Sequence, residues 1–184
     1  MEKLISKEYL NDFYYTTNTK YFSDSVNESI QARKRSSYSY EVTIFLSHKH
    51  DEKEVLERVI VLLKKLGVSV YVDWLDSGMP KYTNGYTAKR IKEKITSCEK
   101  FIFLATEGAI SSKWCNWELG FGDAKKYPTN IAVLPITDKR DNNWSGNEYL
   151  RIYPIITTDY NYLEGNYYVE FEGRKVKLVD WLKS

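Results

Sequence analysis

The chain of 184 residues holds only two cysteines, Cys98 and Cys115. That is too few for a disulfide framework, so both are expected as free thiols. It also lacks any apolar run near the roughly 18 residues that would cross a bilayer, and residues 1–37 have no continuous apolar centre of the kind a signal peptide needs. A cytoplasmic protein with no membrane contact is the expectation. Charge of one sign is not in excess either: 27 Lys and Arg against 25 Asp and Glu leave a net charge of +2, which gives no general reason to expect nucleic acid. The one basic cluster, Arg33, Lys34 and Arg35, is short, and such a run ahead of a domain is ordinarily solvated. No GxGxxG is present, so dehydrogenase-style dinucleotide binding is not indicated. His48, His50, Cys98 and Cys115 lack any CxxC or HxxxH spacing, so no metal is expected. There is no internal repeat and no low-complexity tract.

Aromatic side chains are what the chain has in quantity. Its 16 Tyr and 5 Trp supply flat, amphipathic surfaces suited to a heterocycle pocket or a protein interface.

Residues 1–40 are polar and Tyr-rich and read as an extension, a short helix over Lys3 to Tyr15 followed by a linker. Residues 41–184 read as one α/β domain. Val42 to Leu46 (VTIFL) is a nearly continuous β-prone run, the pattern of a strand covered on both faces. Asp51 offers a helix N-cap with Glu54 three residues on, and apolar residues from Val55 to Leu66 recur at helical spacing until Gly67 ends the helix. Val68 to Val72 is a second strand, and the strand–helix–strand unit implies a right-handed parallel crossover. Asp73 to Gly85 reads as an exposed loop, and Tyr86 to Ser97 as a helix with Ala88, Ile91 and Ile95 inward. Phe101 to Ala105 is the third strand, and Ser111 or Ser112 caps a helix reaching about Lys126. Ile131 to Ile136 is the fourth strand, ending near Pro135, and Tyr149 to Thr157 offers a fifth. Tyr167 to Phe171 and Lys175 to Val179 form a hairpin, and Trp181 and Leu182 pack a last helical turn.

This alternation predicts a flavodoxin-like, doubly wound parallel sheet of about five strands in the order 2-1-3-4-5, with helices on both faces. Ligands of such sheets bind where the winding direction switches, at the carboxyl ends of strands one and three. Here those ends carry Ser47 and His48, and Ala105 and Thr106. Just beyond strand three lies SSKWCNWELGFG, residues 111–122. Within it Glu118 has Trp114, Cys115, Phe121 and Gly122 at the spacings where a surface acid usually finds a Lys or Arg. In the second helical turn it is too far along to act as a capping acid. It is therefore either a buried acid with a distant partner or a carboxylate kept for chemistry. A Cys115 nucleophile with His48 as base has only proximity to recommend it.

The run TIFLSHKHDE, the second strand ending in YVDW, and SSKWCNWELG resemble the Toll/interleukin-1 receptor (TIR) domain family in its bacterial branch, over about residues 40 to 160. The segment from Ser112 to Glu118 is the most specific part of the likeness. The resemblance implies an enzyme that cleaves the nicotinamide–ribose bond of NAD, a glycohydrolase or cyclase, with NAD as substrate and no cofactor. It implies that Glu118 is the catalytic carboxylate, that Trp114 lines the pocket, and that Ser47, His48, Asp73 and Trp74 approach the substrate. It further implies self-association through the domain, a downstream effector sensing the product, and a place in bacterial antiphage defence. The loop after strand two departs from the family pattern, with KYTNGY following DSGMP. Two alternatives stay open: a non-catalytic TIR module acting by homotypic assembly, and an enzyme resembling the nucleoside deoxyribosyltransferases.

Overall fold

The structure is a computed structural model that describes residues 3–16, 42–73, 84–139, 144, 146–159 and 166–184. Its strands are β1 (Ile5–Ser6), β2 (Thr43–Ser47), β3 (Ser69–Tyr71), β4 (Lys100–Ala105), β5 (Ile131–Thr137), β6 (Ile155–Thr158), β7 (Tyr167–Phe171) and β8 (Arg174–Lys177). Its helices are α1 (Lys7–Thr16), α2 (Lys53–Lys65), α3 (Gly85–Ser97), α4 (Glu107–Ser111), α5 (Lys113–Lys126) and α6 (Leu178–Lys183), with a 3-10 helix over Glu148–Ile152.

All eight strands form one sheet, in the order β3-β2-β4-β5-β6-β7-β8, with β1 added beside β5. The five strands β2 to β6 are mutually parallel, and numbered along the chain they stand in the expected order 2-1-3-4-5. Three strands are added to that core. β7 and β8 extend the sheet antiparallel beyond β6. β1 runs parallel to β5, pairing Ile5 with Ile136 and Ser6 with Thr137. Lys3, just before it, exchanges two backbone hydrogen bonds with Thr158 at 2.8 and 2.9 Å. β1 is thus seated between the carboxyl ends of β5 and β6.

Alternation along the strands sorts the core onto two faces. Ile44, Leu46, Ile102, Leu104, Leu134 and Ile136 face α1, α2 and α6. Phe45, Phe101, Phe103, Ala105, Ile131 and Val133 face α3, α4 and α5. Ser47, two residues after Phe45, shares the second face, and so looks toward the helix that carries Glu118. That helix sits close. A Cβ on Gly122 would lie 2.9 Å from the ring of Phe101, so the absent side chain is what lets α5 rest directly on β4.

Several element boundaries differ from the sequence reading, each for a local reason. Lys3 to Tyr15 divides into β1 and α1, because the backbone of Ile5 and Ser6 is taken up by β5. Glu52, not Asp51, stands at the N-cap of α2, and its side chain makes no capping bond; it accepts from the Thr106 hydroxyl, while Asp51 pairs with Lys49 at 3.2 Å. Gly67 ends α2 as expected, with φ of 78° and its N–H donating to the Lys64 carbonyl at 3.0 Å. β5 continues through Pro135 because β1 adds at the next two residues. The span from Tyr149 to Thr157 splits into the 3-10 helix and β6. The hairpin forms, but its second strand runs from Arg174 to Lys177, and Leu178 and Val179 already belong to α6.

Candidate active site

α5 is capped by Ser112, whose Oγ accepts from the Cys115 N–H at 3.3 Å. This cap fixes the helix phase. Cys115, Glu118, Leu119 and Gly122 fall on the sheet side and are buried, while Trp114 and Trp117 are half-buried and stack on one another, ring centroids 4.9 Å apart at 22°. Glu118 is 3% exposed. Its Oε2 accepts a hydrogen bond of 2.6 Å from the Ser47 hydroxyl at the end of β2. No cation pairs with it among the described residues.

Burial first, and then the negative charge of Asp73, push the Glu118 carboxyl up to about 8, against the pull of the Ser47 hydroxyl. At neutral pH the unliganded crevice therefore holds this acid largely protonated. A positive charge brought to it would reverse that balance.

Asp73 follows β3 and is also buried. It accepts from His50 Nε2 at 2.7 Å and lies 3.7 Å from His48 Nε2. The hydrogen bond to Asp73 raises the His50 pKa, whereas burial lowers that of His48 despite the same carboxylate nearby. His48 is therefore held neutral. Its Nδ1 donates to the Leu46 carbonyl at 3.0 Å, since a carbonyl can only accept, and this sets the tautomer. Cys115 donates its thiol to the His48 carbonyl at 3.2 Å. Burial pushes that thiol up to about 11, so it is a structural donor with almost no thiolate at neutral pH and no nucleophile.

Of the candidates named from the sequence, Ser47, His48, Asp73 and Glu118 meet at the carboxyl ends of β2 and β3. Trp114 stands one turn before Glu118 on α5, half-buried against the core of the second face. Trp74 lies outside the described residues. Local spacing does not mark His50 as a companion of Asp73, because the two lie 23 residues apart and only the parallel pairing of β2 with β3 brings them together. Thr106 and Glu52 form a second, half-buried link, Thr106 donating to Glu52, which ties the end of β4 to the start of α2.

The TIR domain family model matches residues 44–169. The chain belongs to the TIR domain family. Its TIR domain contains β2, β3, α5 and every residue of the crevice just described. Over its full length the chain is similar to a probable 3' cyclic ADP-D-ribose synthase of Bacillus cereus (strain MSX-D12), 28% identical over 194 residues and aligned along 100% of both proteins. It is also similar to a probable 2' cyclic ADP-D-ribose synthase of Methanobrevibacter olleyae, 32% identical over 142 residues, covering 74% of this chain and 39% of that protein. Among the described residues no helix is long and apolar enough to cross a membrane.

Proposed function

We propose that the crevice binds NAD and breaks its nicotinamide–ribose bond, with Glu118 as the catalytic carboxylate and cyclic ADP-ribose as the product. The observation that carries this reading is the state of Glu118: a buried acid with one hydroxyl donor, a neighbouring negative charge and no cation among the described residues, at the switch point of the sheet. The similarity to two probable cyclic ADP-D-ribose synthases supports the same product.

The chemistry follows from charge. When the bond between the ribose C1' and the pyridinium nitrogen breaks, the electron pair leaves with nicotinamide, which becomes neutral without needing an acid. Positive charge then develops on the ribose. An ionised Glu118 beside it stabilises that charge, and the arriving cation favours ionisation of the acid in the first place. The Ser47 hydroxyl holds the carboxylate in place. A hydroxyl of the same ADP-ribose then attacks C1', and its proton passes to Glu118, giving the cyclic product, nicotinamide and one proton. Water in place of that hydroxyl gives linear ADP-ribose. Trp114 supplies an aromatic face for stacking, a contact of about 1 kcal/mol beyond burial. His48 and Asp73 border the substrate, as does Trp74. Self-association through the TIR domain, a downstream effector that senses the product, and a role in antiphage defence in the cytoplasm belong to the same proposal.

The test is to incubate the protein with NAD at low and high protein concentration and to identify products by mass spectrometry. Nicotinamide with cyclic ADP-ribose is the expected result. Equal nicotinamide release by wild type and Glu118→Gln would rule Glu118 out as the catalytic carboxylate. Self-association with no release at any concentration would instead favour an interaction module, and base exchange on deoxynucleosides would favour the transferase alternative.

A further inference from the structure

Three donor groups converge in the crevice and take no part in the bond-breaking step assigned to Glu118. They are the imidazoles of His48 and His50 and the carboxylate of Asp73, whose ligating atoms all lie within 4.8 Å of one another. Asp73 Oδ2 is 2.7 Å from His50 Nε2, and Asp73 Oδ1 is 3.7 Å from His48 Nε2.

We propose that His48, His50 and Asp73 form a binding site for a divalent transition-metal ion of the zinc type.

The independent observation is His48. It is 5% exposed, and its Nε2 has no hydrogen-bond partner. Its Nδ1 is committed as a donor to the Leu46 carbonyl, so Nε2 carries a lone pair and faces the Asp73 carboxylate across a gap too long for a hydrogen bond. A buried ring nitrogen left without a partner is destabilising. A cation between Nε2 and Asp73 gives that nitrogen the partner it lacks. The arrangement of Nδ1 is also the one that metal-bound histidines show, with the second ring nitrogen donating to a backbone carbonyl and so fixing the ring.

Distances and donor types agree with this ion class. Zinc binds nitrogen and carboxylate oxygen at about 2.0–2.2 Å, which places tetrahedral donor atoms roughly 3.4 Å apart. The two separations to Asp73 bracket that value, and the adjustable member is His50, whose side chain is 57% exposed. Two imidazoles select against calcium and magnesium, which take oxygen ligands. Three protein donors leave a tetrahedral position for water or for an oxygen of a bound molecule. Sequence spacing hides this set, because Asp73 is brought to the two histidines only by the pairing of β2 with β3. The proposal concerns metal binding alone and stands apart from what the crevice turns over.

The experiment uses tag-free protein stripped with a chelator. Zn2+ is titrated against a chromophoric competitor, and Co2+ is followed by its visible absorption. One ion per chain is expected, with cobalt bands of a nitrogen and oxygen site and no thiolate charge-transfer band. His50→Ala and Asp73→Asn should each weaken binding by at least about tenfold, the scale on which loss of even an outer-shell partner is felt. Glu118→Gln should leave binding unchanged. His50 is largely exposed, so its variant keeps the fold, which circular dichroism checks. The proposal is overturned if wild type fails to compete with the chelator, if His50→Ala binds as tightly as wild type, or if a thiolate band moves the site to Cys98 or Cys115.

Discussion

Lys100 and Glu118 are two of the buried ionisable side chains, one at the amino end of β4 and the other on the helix over the carboxyl ends of the strands, and they are treated in opposite ways. Lys100 opens β4 and is 1% exposed. Its ammonium donates to Asn130 Oδ1 at 2.6 Å and to the Ser184 carbonyl and hydroxyl, each at 3.1 Å, and lies 4.8 Å from the centre of the Trp181 ring. All three of its protons have acceptors. Burial lowers its pKa, with Glu99 working against that. Glu118, at the other end, has one donor for four lone-pair sites, and a like charge nearby. Lys100 fastens the carboxyl-terminal helix to the amino end of the central strand β4, whereas Glu118 is left short of partners. A buried charge with a full set of partners is structural, and one kept short is ready for a charge that arrives with a ligand.

The largest test of that contrast is Glu118→Gln. Nicotinamide release should fall by roughly 10²–10³-fold, about 3–4 kcal/mol in the barrier, the loss seen when a single charge-stabilising group is removed from a site. Retained release would put the two buried charges in the same structural class.

The same variant also tests the electrostatics through stability. The Glu118 pKa is raised in the folded state, so the protonated acid costs the fold nothing below its ordinary value near 4.5, and stability is lost as pH rises from there toward about 8. Between pH 5 and 8 wild type should lose on the order of 3 kcal/mol relative to Glu118→Gln. Denaturant midpoints measured across that range check it, and parallel curves would mean that the acid is not held uncharged.

Lys100→Ala probes the other end of the sheet. It should cost about 2 kcal/mol, or about 4–8 °C in Tm, by leaving the Asn130 acceptor without its donor and opening a cavity beside Trp181. NAD turnover below the transition should be unchanged.

How far the sequence displayed these two sites depends on what surrounds each residue in the chain. The parallel core was legible because VTIFL, FIFLA and IAVLPI are continuous β-prone runs, and Glu118 was conspicuous because aromatic residues occupy its helical neighbours. Lys100 gave no signal. A lysine before an apolar run reads as a solvated strand end, and its acceptors lie 30 and 84 residues away. β1 was hidden for a similar reason, since two residues carry no periodicity. The contact of Asp73 with His50 and the taking of Glu52 by Thr106 both depend on neighbouring parallel strands, which local patterns do not report.

Two smaller predictions sharpen the comparison at its hinge, the seat of α5. Gly122→Ala should destabilise by about 1–2 kcal/mol, because the new methyl meets the Phe101 ring, itself stacked on Phe45 with centroids 5.5 Å apart. Activity should fall as well, since Glu118 sits one turn earlier on the same helix, and thermal melting beside a turnover assay reads both. Ser47→Ala should cost about tenfold in turnover, about 1 kcal/mol, and should move the rising limb of the kcat/KM profile to higher pH, because the hydroxyl is the group that holds the Glu118 pKa down. An unmoved limb would mean that the hydroxyl does not set it.

The placement of β1 has a consequence for how the chain can be cut. The slot between the ends of β5 and β6 is filled by the molecule's own amino-terminal strand, a donor strand supplied in cis. A version starting at residue 41 loses that filling along with the core residues Ile5, Tyr9 and Leu10. The vacated slot would present unpaired backbone on two neighbouring strands, which is a template for any extended peptide. Trimming the chain at residue 41 thus turns a filled slot into an adhesive one, and a synthetic peptide of residues 1–16 added back should fill it again.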